Sequence, residues 1–162
     1  MANHTNVILK SLEEVLEYQN ENVIDRFINS FTVQKEEAHE IFNETKKWLW
    51  LSAKSFEDNE KNIFIGNDLL IIDEMWHIFL LFSLDYYAFY EKNFNVVVHH
   101  IPIVKDENNS ITTTLSDYKD REDAFYNYVF NNLGETTFNK WFLEYPKKYS
   151  KENIKSIYKG LY

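Results

Sequence analysis

Apolar residues recur at helical spacing along most of this chain. Val7 to Tyr18 (through Leu12, Val15 and Leu16) and Asn22 to Phe31 (through Val23, Phe27 and Ile28) each carry one apolar stripe, the mark of an amphipathic helix. A longer helix is predicted from Lys35 to Ala53, where Ala38, Ile41, Phe42, Thr45, Trp48, Leu49 and Ser52 fall three and four apart. The polar run Ser55 to Asn62 reads as a loop. Asn67 and Asp68, or Asp73, are placed to cap the next helix, which carries the string DEMWHIFLLF over residues 73 to 82. After a bend at Ser83, LDYYAFYEKNF reads as a further short helix.

The pattern changes at Val96. Val96 to Ile103, VVVHHIPI, is β-branched and interrupted by proline, so an extended segment is expected there. Lys105 to Ser116 is polar and reads as a mobile loop. Asp120 to Leu133 returns to helical spacing, with Ala124, Phe125, Tyr128, Val129 and Leu133 on one face, and Gly134 is placed to end that helix. Glu135 to Leu143 and Ser150 to Lys159 complete the chain as short helices separated at Pro146. No internal repeat is present. The fold expected is all-α: one domain over residues 1–162, a compact bundle of six or seven helices with a short extended segment near 96–103.

Composition narrows what such a bundle does. With 162 residues, 44% hydrophobic and 17% aromatic, the chain can bury a sizeable core. The formal net charge of -9 repels nucleic-acid phosphates. The densest basic cluster, Lys147, Lys148 and Lys151, is flanked by Glu144 and Glu152, so direct DNA or RNA binding is not expected. There is no cysteine, which excludes disulfides and thiolate metal sites. Three glycines cannot build a phosphate-binding loop, and no G-x-S-x-G string occurs. The first residues, MANHTNVILK, do not read as a signal peptide. The longest apolar stretch, Leu69 to Phe82, is interrupted by Asp73, Glu74 and His77 and falls short of the ~20 residues a membrane span needs. A soluble cytoplasmic protein is expected.

Three of the five histidines lie inside the most apolar third of the chain. Asp73 and His77 are four apart, on one helix face. A carboxylate beside an imidazole shares a metal ion with it or fixes its tautomer. His99 and His100 are adjacent in an extended segment, so their side chains point to opposite sides and at most one easily joins His77. Glu44, beside the buried stripe of the long helix, is a further candidate, because an unpaired buried carboxylate is costly. The site residues expected are therefore His77, His99, His100, Asp73 and Glu44, with Trp76, Trp48 and Tyr86 as pocket walls. Zinc or non-haem iron suits nitrogen and oxygen ligands of this kind. The bland alternatives are concrete: Asp73 as a helix cap, His77 as a core histidine, and the aromatics as packing. The signal is weaker than an H-E-x-x-H zinc motif, since Leu81 stands four residues after His77.

Asp73-Glu74-Met75-Trp76-His77, then Tyr86, Phe89 and Phe94, then His99-His100-Ile101-Pro102, resemble the core of the glycine-rich domain-containing protein-like family, with its D-x-x-W-H helix, downstream tyrosine and H-H-x-P segment. Glu36-Glu37-Ala38 and Glu44 to Leu51 resemble the preceding helix, so the resemblance covers residues 30 to 103. It implies a small, mostly helical, bacterial-type stand-alone domain, without the glycine-rich tails of plant relatives. Departures are Tyr90 and Asn95, where that family often has cysteine and glycine, and Phe79, where some members have a second histidine. The resemblance supplies a constellation of residues and no reaction.

Two function classes follow. One is a histidine/carboxylate site, with a single zinc or iron ion and a small molecule, supporting metal-assisted hydrolysis or oxygen chemistry. The other is a non-catalytic, acidic interaction module for a basic protein partner, with DNA mimicry as a minor variant; there the histidines are structural.

Overall fold

The computed structural model describes residues 8–100 and 115–160. Among them the chain is helical with no β-sheet, an all-α fold as the spacing predicts. Helix α3, Lys35–Asp58, is the central element, and α1 (Leu12–Leu16), α2 (Glu21–Ser30), α4 (Leu70–Leu81) and α6 (Leu115–Asn139) pack on it. Helix α5 (Ser83–Asn93) folds back from α4, and α7 (Tyr145–Lys148) and α8 (Lys151–Ile157) close the chain. Phe79 sits at the centre of an aromatic cluster, with ring centroids 5.9 Å from Tyr18, 5.4 Å from Phe42, 5.1 Å from Tyr86 and 5.5 Å from Phe89. That packing explains why position 79 is phenylalanine.

Several boundaries differ from those expected, each for a local reason. Helix α1 starts only at Leu12, because Ser11 and Glu14 form a reciprocal cap. The residues before it run alongside the end of α5, where Ile8 and Lys10 donate backbone N–H groups to Phe94 and Asn93. Ser55 to Asp58 is helix and not loop. Ser55 is buried and donates to the Ser52 carbonyl at 2.6 Å, and Lys54 pairs with Asp58 one turn on. The end comes at Asn59, whose φ of 54° is the left-handed stop that asparagine tolerates.

Gly134, with φ 78° and ψ 175°, breaks the helical path of α6 where the sequence places a terminator. Beyond it, Lys140–Glu144 is a wider π-type turn that runs directly into α7. Pro146 sits in the first turn of α7, where its missing N–H is harmless, so the break falls later, at Tyr149 and Ser150. The chain end is tied back through Thr32 and Lys159, which donate to Ile157 and Ser30.

Lys46, fully buried on α3, donates to the carbonyls of Leu16 and Tyr18 at 2.7 and 2.6 Å and so closes the end of α1. Burial pulls its ammonium down to about 8. Residues 96–100 lie outside any helix, as expected, but form no strand, and Ile101 to Ile103 lie outside the described residues. Of the polar stretch Lys105 to Ser116, residues 105–114 also lie outside them, and Leu115 and Ser116 begin α6.

Candidate metal centre and its cleft

Helix α4 is apolar almost all round, with Ile71, Ile72, Met75, Trp76, Ile78 and Phe79 buried. What remains is one solvent-side stripe, Asp73, His77 and Leu81, at steps of four. A polar pair at those positions therefore stays out of the core and lies along the most exposed edge of a largely buried helix. Asp73 is not a cap. The turn Asn67–Leu69 precedes α4, Leu69 stands at the cap position without a side-chain bond, and Asp73 lies inside the first turn.

The second half of the site arrives on the extended segment. Tyr86 of α5 places it: its hydroxyl accepts the Trp76 indole N–H at 2.9 Å and donates to the Val98 carbonyl at 2.7 Å. Both bonds are buried, so the segment is pinned two residues before His100. Alternation along the segment then turns His100 inward and leaves His99 exposed. His100 Nε2 lies 2.7 Å from Asp73 Oδ1, and His77 Nδ1 lies 3.8 Å from Asp73 Oδ2. The two imidazole rings are 4.4 Å apart, and Trp76 packs on His100 at 4.5 Å.

One ligand atom from each of Asp73, His77 and His100 lies within 4.8 Å of the others. Two imidazoles and one carboxylate are a chemically suitable donor set for zinc or iron. Around an ion with ~2.0–2.1 Å bonds in tetrahedral geometry, donors stand about 3.4 Å apart. The two histidine nitrogens stand 2.7 and 3.8 Å from the two Asp73 oxygens, on either side of that value. Glu74, next in sequence, is pushed up by burial; His77 opposes the shift and Asp73 adds to it.

Two expected members are elsewhere. His99 is exposed and outside the ligand cluster, although it lines the same cleft as Asp73 and His100. Glu44 is 3% exposed but already saturated: it pairs with Lys47 at 2.8 Å, accepts the Trp141 indole N–H at 2.9 Å and has Lys140 at 3.6 Å. It ties α3 to the C-terminal elements and is no part of the histidine cluster.

Asp73 and His100 open onto a cleft of about 590 Å³ between α3, the 60–65 connection and the 98–100 segment. Trp48 and Trp76 line it, as expected of pocket walls, while Tyr86 instead lines a smaller neighbouring hollow of about 210 Å³ shared with His99 and His100. The residues that sequence reasoning missed are Ser52, Lys61 and the apolar stretch Ile63 to Ile65. Only the unusual presence of serine in the buried stripe of α3 pointed to any of them. No helix among the described residues is long and apolar enough to cross a membrane. Compared with models of protein families, with curated proteins and with solved structures, the chain has no match.

Proposed function

We propose that this protein binds one divalent transition-metal ion, zinc or ferrous iron, through Asp73, His77 and His100 at the rim of a small-molecule cleft. The observation that carries the reading is the convergence of these three donors, from two elements, within 4.8 Å. Support comes from the way the convergence is built. The Trp76–Tyr86–Val98 bonds hold the extended segment in the one register that presents His100 to Asp73. Asp73 and His77 of the D-x-x-W-H string and His100 of the H-H-x-P string, the two that resemble the glycine-rich domain-containing protein-like family, are the residues that meet here. Three protein ligands leave coordination positions open, the arrangement of catalytic rather than structural sites. Such an ion would polarise a bound oxygen or activate a water for hydrolysis or oxygen chemistry. The protein's own part is to orient the ligands and to offer substrate an apolar wall.

Element analysis of protein purified without a nickel column, before and after dialysis against zinc, tests this directly. One equivalent of metal, diminished in Asp73→Asn, is the expected result. A protein that takes up no zinc overturns it.

One observation favours the second class, an acidic module for a basic protein partner. Leu81, Leu84 and Tyr87 stand exposed at the corner of α4 and α5, Leu84 by 85%. A metal-free protein whose stability ignores chelator would move the balance to that reading.

A further inference from the structure

Four tryptophans are present, and three have partners for their indole N–H. Trp50 donates to the Lys10 carbonyl, Trp76 to Tyr86 and Trp141 to Glu44. Trp48 does not: its Nε1 is buried with no hydrogen-bond partner. One turn further along the same face of α3, the Ser52 hydroxyl is in the same condition. Both residues are at least nine-tenths buried, and both line the cleft beside Asp73 and His100. Buried polar atoms are paired as a rule, so two orphans in one cleft wall point to a group that completes them.

The chemistry of that group follows from which cleft groups are engaged. Each cleft carboxylate already has a hydrogen-bond partner: Asp73 holds His100, and Glu60 accepts the Asn62 backbone N–H at 2.7 Å. The buried groups left over, Trp48 Nε1 and Ser52 Oγ, can both donate. An indole N–H only donates and a hydroxyl can. Lys61 stands at the cleft with no acidic partner among the described residues. The remaining wall is apolar, from Ile63, Phe64, Ile65, Trp76 and Val98. Phe56, 57% exposed, adds an apolar edge at the solvent side. A volume of about 590 Å³ is ordinary for a small-molecule site.

We propose that this cleft binds a small apolar carboxylate, whose oxygens are received by the Trp48 indole N–H and the Ser52 hydroxyl, with Lys61 at the mouth. The site shares a wall with the metal ligands but does not need the ion.

The test is a titration of the chelator-treated full chain with 4-phenylbutyrate, 4-phenylbutanol and 4-phenylbutylamine, followed by calorimetry and by the indole N–H resonances. Trp48→Phe assigns the Trp48 signal. The acid is expected to move that signal and to bind at least about tenfold more tightly than the amine, with Ser52→Ala weakening the acid several-fold. Equal affinity for acid and amine overturns the proposal, as does a stationary Trp48 signal or no binding of the acid at all. Because the protein is metal-free throughout, a failed zinc titration leaves this result untouched, and a failed acid titration leaves the zinc stoichiometry standing.

Discussion

Glu44 and Asp73 are both carboxylates on helices beside buried stripes, and the fold uses them in opposite ways. Glu44 is enclosed, and its oxygens are taken by Lys47, Trp141 and the nearby Lys140. Asp73 is about a quarter exposed, faces two imidazoles and opens on a cleft. What decides whether a carboxylate is available for chemistry is thus the set of partners that already hold its lone pairs. Burial alone does not decide it. Glu44 is an anchor; Asp73 is the carboxylate that the proposed metal site would use.

High pH should separate the two regions most drastically. Around Glu44, burial and then the carboxylates of Glu44 and Glu40 hold the Tyr145 phenol far above its usual range. Burial and a hydrogen bond to Glu37 do the same to Tyr149. Beside the cleft, Tyr86 is raised chiefly by burial, with a smaller push from Tyr87, and its hydrogen bonds offset part of the rise. A phenol raised in the folded state keeps its proton where the unfolded chain loses it. Stability is therefore intact below pH ~10 and falls as pH rises above it. Absorbance at 295 nm should show these tyrosines ionising together with loss of helical circular dichroism. Ionisation with the fold retained would contradict the burial argument.

Removing the anchor is the next largest effect. Glu44→Ala leaves the buried Trp141 N–H without its acceptor and Lys47 without its carboxylate, while Lys47 keeps Thr137 and Lys140 keeps Glu40. It should cost about 3 kcal/mol, the low end for a broken buried pair, because both lysines keep some solvent contact. Urea denaturation measures it, and zinc binding by the folded fraction should be unchanged. A smaller loss follows from Tyr86→Phe, which strips the shared hydroxyl from Trp76 and Val98. About 1–3 kcal/mol is expected, with weaker zinc binding even though Tyr86 touches no ligand. Zinc affinity equal to wild type would show that the Val98 pin does not position His100. Asp73→Asn should be nearly silent in melting temperature yet lower metal affinity or retention by roughly 10–100-fold. A large loss of stability with unchanged metal content would make Asp73 an anchor like Glu44 and erase the contrast.

The same contrast marks what could be read from the chain. The all-α fold, the central helix, the break at Gly134 and the shared face of Asp73 and His77 all follow from spacing within one element. So does the rule that only one of His99 and His100 joins them. Which one joins was hidden, because the register is set by Tyr86 holding Val98, a contact between elements. Glu44 misleads for a related reason: Lys47, three residues on, is a visible partner, but Trp141, which takes the other oxygen, lies 97 residues away. The polar stretch Ser55 to Asp58 reads as a loop by composition, and only the buried Ser55 and the Lys54–Asp58 pair explain why the helix continues. The orphaned Trp48 N–H has no sequence signature at all.

Adjacent histidines give the most direct test of the metal site. Zinc should be titrated by calorimetry into His99→Ala and His100→Ala side by side, since the two variants differ only in which face of the segment is emptied. The account predicts that His99→Ala binds one zinc about as well as wild type, while His100→Ala binds at least about tenfold more weakly, as expected for loss of a direct ligand. Equal zinc affinity in the two variants would contradict it.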